Sequence, residues 1–189
     1  MASGHEDLQR EIWAAVSCLE GALPAPQTAY QHLALSEAFD ALARATFARR
    51  EEIEQTIWAI WCDHPDEIAK ARMAKAIGHL ARAELEDSAA VLETLCSRYP
   101  DWAEVWNKRA TVHFVQGRDA ASVSDIRRTL ELEPRHFGAL GGLSQICLRN
   151  GNPDAARVAL EALLRVNPGA AGVAELLATL AKDAPRVMH

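Results

Sequence analysis

Three prolines, Pro100, Pro134 and Pro168, stand 34 residues apart, and Pro65 stands 35 before the first of them. A fixed period of that length constrains the fold more than any other feature, because a unit so short cannot bury its apolar face alone and must stack on copies of itself. Each proline closes a stretch whose apolar residues recur at helical spacing, and the residue before a proline is pushed out of the helical region, so a helix stops there. Gly117 and Gly151 repeat the same 34-residue step in mid-unit, where a tight turn between antiparallel helices needs a residue free to take positive φ. Ala83 holds that slot one unit earlier. Ser88, Ser122 and Ala156 share the small position early in each second helix, and Leu92, Ile126 and Leu160 share the large apolar position four residues on. The period therefore predicts an all-α chain of helix hairpins.

These residues resemble the tetratricopeptide repeat family, whose 34-residue unit is two antiparallel helices ending in a proline. The resemblance covers Asp66 to Pro168 and implies a right-handed α-solenoid of about three hairpins, with Ala170 to Lys182 as a C-terminal capping helix. Trp106 falls on the large aromatic position of the middle unit and Leu140 on that of the next; the glycine position is Ala76, Ala110 and Ser144. Trp106 is expected to wedge between the paired helices and Ile126. The segments Asp101 to Thr111 and Glu133 to Leu140 are similar to small bacterial tetratricopeptide proteins of unassigned function.

Before the repeats, Leu8, Ile12, Val16 and Leu19 make one apolar stripe, Leu35, Phe39 and Leu42 a second, and Ile53, Ile57, Trp58, Ile60 and Trp61 a third. Gly21 to Gln27, with Pro24 and Pro26, reads as a linker. The chain divides into an N-terminal helical segment, 1–63, that packs on the repeats by capping or filling the first one, and a repeat domain, 64–189.

Composition limits the partners. A net charge of −6 and a pI near 5.6 argue against nucleic acid, which is bound through clustered Lys and Arg. No run of 18 apolar residues is present, so membrane insertion is not expected. The start, Met1 to Asp7, has no basic or apolar leader region; the chain as it stands reads as cytoplasmic, with the periplasm or an organelle as the alternative if a targeting peptide has been removed. Cys18, Cys62, Cys96 and Cys147 show neither CxxC pairing nor histidines at zinc-ligand spacing, so neither disulfide nor metal is expected. Cys62 and Cys96, 34 apart, read as near-equivalent small core positions.

The resemblance implies that the first helix of each unit lines a concave face. The inward positions are then Met73, Ile77 and Leu80 in the first unit, Glu104, Asn107, Thr111 and Phe114 in the second, and Gly138, Gly141, Gln145 and Leu148 in the third. Met73 and Ile77 stand where the family's clamp for acidic chaperone tails needs Lys and Asn, so that ligand is not expected. An apolar concave face needs a cover: either the N-terminal helices fold back into it or a partner's peptide or helix lies there. Gly138, Gly141 and Gly142 lie inside a helix, where each glycine costs about 0.5–1 kcal/mol relative to alanine; close helix packing or a bare floor for a ligand's backbone would each compensate. Arg135, His136 and Phe137 have the composition of an exposed hot spot, and Arg149 adds a polar anchor. The candidate partner-binding residues are therefore Asn107, Thr111, Phe114, Arg135, His136, Phe137, Gly138, Gly141, Gln145 and Arg149.

An enzyme needs nucleophile, base and orienting group in one pocket. Cys62, Asp63, His64, Asp66 and Glu67 form the densest reactive cluster but straddle the Pro65 turn, where Asp and His cap helix ends. His79 and His113 read as partly buried packing residues. Neither phosphate-binding loops nor HExxH occur. The sequence thus reads as a non-enzymatic interaction module, an adaptor, scaffold or assembly factor without cofactor or metal. The alternative is a structural homo-oligomer whose groove is filled by its own N-terminal helices or a second copy.

Overall fold

The structure, a computed structural model, describes residues 2–20 and 29–183; the linker read at Gly21 to Gln27 lies outside them. It holds α1 (Ala2–Ser17), followed by a short 3-10 turn, then α2 (Ala29–Ala43), α3 (Phe47–Cys62), α4 (Glu67–Ala81), α5 (Leu85–Arg98), α6 (Ala103–Val115), α7 (Asp119–Leu132), α8 (Phe137–Arg149), α9 (Pro153–Val166) and α10 (Val173–Asp183). No strand occurs among the described residues. The pairs α4 and α5, α6 and α7, and α8 and α9 are the three hairpins of a helical solenoid.

The corners follow from the prolines. Tyr99, Glu133 and Asn167, each just before a proline, take φ of −130, −139 and −136°, the extended backbone that proline imposes on its predecessor. Each nevertheless donates its N–H back into the helix it ends, to Leu95, Thr129 and Leu163. Within the hairpins, Gly117 and Gly151 turn at φ of 71 and 69°, and Ala83 accepts 57° in the equivalent place. The small residues early in the second helices do more than permit close approach: Ser88 Oγ donates to the Ala76 carbonyl at 3.0 Å and Ser122 Oγ to that of Ala110 at 2.8 Å. Helix starts are capped by Asp66, which accepts from Ile68 and Ala69, and by Asn152, which accepts from Ala155 ahead of Pro153.

Two apolar clusters hold the body together. Met73, Leu92, Leu95 and Cys96 of the first hairpin close on Trp102, just before α6, and on Val105 and Val112 of α6. The larger cluster joins α7, α8 and α9 to the N-terminal helices through Ile12, Leu35, Ile57, Trp61, Leu130, Leu143 and Leu160, and α10 lays Val173, Leu176 and Leu180 against it. Two expectations are corrected here. The N-terminal helices cover the second and third hairpins rather than the first, because the first completes its core with α6. Trp106 is half-buried at the first cluster's edge, donating Nε1 to the Pro100 carbonyl at 3.0 Å with Arg109 over its ring; Ile126 belongs to the other cluster. Cys96 is buried in the core, but Cys62 is only partly so.

Helix α1 buries Leu8, Ile12, Ala15 and Val16 against α7 and α9, and Gln9 bonds the Asn150 carbonyl and the Asn152 amide. Helix α2 pairs with α3, which crosses the starts of α6 and α8 and reaches the corner at Asn167.

Candidate functional site

Helix α3 divides the face shared by the first helices of the hairpins. It lies against Glu104, His136, Phe137 and Gly138, with Asn107 bonded to Glu104, at the starts of α6 and α8; Thr111, Phe114, Gly141, Gln145 and Arg149 lie farther along the same two helices.

In the covered half the Glu104 carboxylate has no exposure to solvent. Its Oε1 accepts from Lys108 Nζ at 2.8 Å and faces the Cys62 thiol at 3.9 Å; its Oε2 accepts from Asn107 Nδ2 at 3.2 Å and from His136 Nε2 at 2.7 Å. His136 Nδ1 accepts the Ala139 N–H at 3.1 Å and so caps α8. That bond fixes the imidazole proton on Nε2, which donates to Glu104. Burial pushes the Glu104 carboxyl up, but the His136 hydrogen bond and the Lys108 ammonium outweigh it, so the group lies below its ordinary value. The Trp61 ring stacks on His136 with centroids 4.0 Å apart, its carbonyl accepts from Trp102 Nε1 at 2.7 Å, and Lys108 Nζ sits 4.6 Å over the Trp58 ring. A β-carbon on Gly138 would fall 2.9 Å from Trp58 Cζ2 and closer still to Cη2.

This arrangement corrects the reading of His136 as an exposed contact. It is fully buried, and Phe137 and Asn107 are buried with it, because of the two covers considered, an N-terminal helix or a partner, it is the N-terminal helix α3 that lies here. Gly138 is small to admit Trp58, so close packing compensates its helix cost. Arg135 stays near the surface, bonded by Nε and Nη2 to the buried Glu133 carboxylate at 2.9 and 3.0 Å and lying over the Phe39 ring.

The open half is built differently. Thr111 and Gln145 are exposed, and a β-carbon on Gly141 would meet nothing within 4 Å. Arg149 lies 4.2 Å over the Phe114 ring, held there by its bonds to Asp119. Val115, at 56% exposure, extends the apolar surface. Exposed hydroxyl and amide groups on α6 and α8, a glycine with open space, and an aromatic ring under a guanidinium suit the backbone and apolar side chains of a peptide.

The residues weighed for chemistry do not converge. Asp66 caps α4, His64 Nδ1 accepts the Asp66 N–H at 3.1 Å, and Asp63 pairs with Lys70. Burial pushes the Cys62 thiol up to about 11 and those of Cys96 and Cys147 to about 12, which keeps them protonated and poorly nucleophilic. His79 and His113 are partly buried, as expected. His79, Glu84 and Asp87 bring donor atoms within 4.8 Å of one another, but the Arg82 guanidinium already holds both Glu84 oxygens.

The packing roles of Trp102 and Asn167, and the bond from Lys108 to the buried Glu104 carboxylate, were not read from the sequence. Glu104, Asn107 and Lys108 at i, i+3 and i+4, opposite Trp58 and Trp61 at i and i+3, were the available signal: two stripes of complementary chemistry.

Comparison with known proteins bears on the same residues. Residues 73–131 and 118–180 each match a family described as tetratricopeptide repeat. A TPR repeat-containing protein of Rhizobium etli is 48% identical over 69 residues, which are 36% of this chain and 34% of the relative. The match thus spans about a third of that relative's length. Among the described residues no helix is long and apolar enough to cross a membrane.

Proposed function

The chain belongs to the tetratricopeptide repeat family, and from that premise we propose that it works as an adaptor or assembly factor, holding a peptide or helix of a protein partner on the open half of its inner face. Such repeats generally mediate protein–protein interaction. The observation that carries the reading is Gly141: a helix accepts a glycine there with no neighbour to accommodate, one turn before exposed Gln145. Arg149 and Phe114 supply an amphipathic wall whose polar end is already fixed by Asp119. The reading assigns no reaction to the buried Glu104 cluster, which is closed to solvent.

A photo-crosslinking amino acid at Gln145, introduced in the native cell, tests the proposal, with the same group at exposed Arg157 on α9 as control. Cross-links to a distinct protein from position 145 alone are expected. The exposed Val115 favours one rival, a homo-oligomer in which a second copy covers this half; cross-links only to chains of the same sequence would replace the adaptor with that oligomer. Equal products from both positions would remove the open half from the site.

A further inference from the structure

The 34-residue period carries one face of each first helix from hairpin to hairpin. On α6 that face is Trp102, at the helix start, with Val105, Arg109 and Val112; its three apolar residues are buried in one cluster with Leu92, Leu95 and Cys96 of the preceding α5. On α8 the same positions are His136, Ala139, Leu143 and Ile146, all buried, and the preceding α7 packs on α8. On α4 they are Ile68, Ala71, Lys75 and Gly78. Among the described residues no helix covers this face, because α3 runs to α6 and α8 instead. Ile68 is 66% exposed in the slot where Trp102 is buried, and Ala71, Lys75 and the adjacent Arg72 are exposed with it. Neither Arg72 nor Lys75 has an ion pair or a side-chain hydrogen bond among the described residues, whereas Arg82, the next cation along, is taken by Glu84. A terminal repeat ordinarily turns a polar face to water; this one turns a strip that begins with a bare isoleucine and is edged by two free cations.

We propose that this face of α4 is a docking edge for an acidic amphipathic helix of a partner protein, which continues the array by one helix ahead of the first hairpin. The joint between α5 and α6 supplies the pattern. There α5 brings Leu92, Leu95 and Cys96 to α6 at i, i+3 and i+4, with Glu93 beside the stripe. The bond from Asp125, with Glu93 adding at longer range, holds the Arg109 guanidinium above its ordinary value against the cost of burial. Lys75 stands one unit before Arg109, but the position one unit before Asp125 is Val91. The first hairpin thus gives Lys75 no acid of its own, and the negative charge has to come with the arriving helix. Charge also decides against a second copy. Two α4 faces paired across a two-fold axis would set Arg72 and Lys75 of each copy against the same cations of the other, and like charges at an interface repel. The edge is a different side of α4 from the inward positions Met73, Ile77 and Leu80, so the proposal does not depend on the binding proposed at Gly141.

The test uses the full chain and a fluorescent peptide of residues 84–100 with Cys96→Ala, the stretch that covers the equivalent face of α6. It has four acidic residues and one basic one, and a hydrocarbon staple between positions 90 and 94, both exposed on α5, keeps it helical. A control peptide carries Glu84→Lys, Glu86→Lys, Asp87→Lys and Glu93→Lys. Fluorescence anisotropy should show the acidic peptide binding the parent, less tightly as salt rises, and at least about tenfold less tightly to Arg72→Glu/Lys75→Glu. The lysine peptide should show the reverse order, binding that variant and not the parent. Ile68→Ser, which leaves the charges in place, should weaken the acidic peptide at least about fivefold by removing apolar contact. All three side chains are exposed, so circular dichroism should find the helices of both variants unchanged. Failure of the acidic peptide to bind the parent overturns the proposal. So does binding that ignores the charge reversal, as it would if the peptide merely displaced the resident α5. A parent that sediments as a dimer, and that Ile68→Ser returns to the monomer, gives the face to a second copy and overturns it equally.

Discussion

Glu104 Oε2 and His136 Nε2 lie 2.7 Å apart, and neither side chain is exposed to solvent. The pair ties the start of α6 to the start of α8, and through the stacked Trp61 to α3. Removing one member of a buried, hydrogen-bonded pair leaves the other without compensation, which costs about 3–5 kcal/mol. Glu104→Ala should lose that much in urea denaturation, since Lys108 would keep its charge in the same place. A loss under about 1 kcal/mol would mean that water reaches the site.

The same carboxylate sets an acid limit. Its folded value lies below the ordinary 4.5, so its contribution is present above pH 4.5 and disappears as pH falls through the folded value. His113 acts earlier. Burial, outweighing the charge of Asp125, holds its imidazole below the ordinary 6.5, so the unfolded chain takes up a proton near pH 6.5 that the folded chain refuses. Stability should therefore decline as pH drops from 6.5, and fall again below 4.5. Urea midpoints measured between pH 8 and 3 should show both losses, and His113→Gln should flatten the first alone.

Trp102 and Trp106 differ although they share a helix start. Trp102 is buried with its indole N–H on the Trp61 carbonyl, whereas Trp106 is half-exposed against Arg109. Trp102→Ala should cost about 3–5 kcal/mol as a large-to-small core change, and Trp106→Ala should cost clearly less. Equal losses in parallel denaturation curves would show that Trp106 is as deeply packed as its neighbour.

Why the period was legible and the cover was not comes down to range. Pro100, Pro134 and Pro168 act on the residue before them, and Gly117 and Gly151 on their own φ, so their effects are local and read directly from the chain. Even the serines at 88 and 122 carried their message in size, though not their bonds to Ala76 and Ala110. Gly138 is different: its reason is Trp58, 80 residues earlier, and nothing local distinguishes a glycine that admits a ring from one that leaves a floor bare. His136 misled for the same reason, since an exposed aromatic and a buried helix cap have the same neighbours in sequence.

Ala83 turns at a φ of 57° in the slot where the next two hairpins have glycine. The left-handed region costs a residue with a β-carbon about 1–2 kcal/mol, and the greater freedom of glycine when unfolded returns about 0.4–1 kcal/mol of that. Ala83→Gly should thus raise stability by about 0.5–1 kcal/mol. A destabilised variant would place the Ala83 methyl in a contact that matters.

Gly141 carries the sharpest separation between packing and binding. A β-carbon there has open space, so Gly141→Ala should stabilise the free chain by about 0.5–1 kcal/mol through helix propensity. Gly138→Ala should do the reverse because Trp58 must move, and overpacking of this kind costs about 1–3 kcal/mol. Gly141→Leu then projects a branched side chain from the floor of the open half without touching the core. Thermal melts should show it no less stable than the parent. Affinity capture from the native cell should show it stripped of the partner that the parent retains, with Gly141→Ala intermediate. A Gly141→Leu chain that melts like the parent and still captures the same partner would place the binding surface elsewhere, and one that melts well below the parent would show that the floor is packed after all.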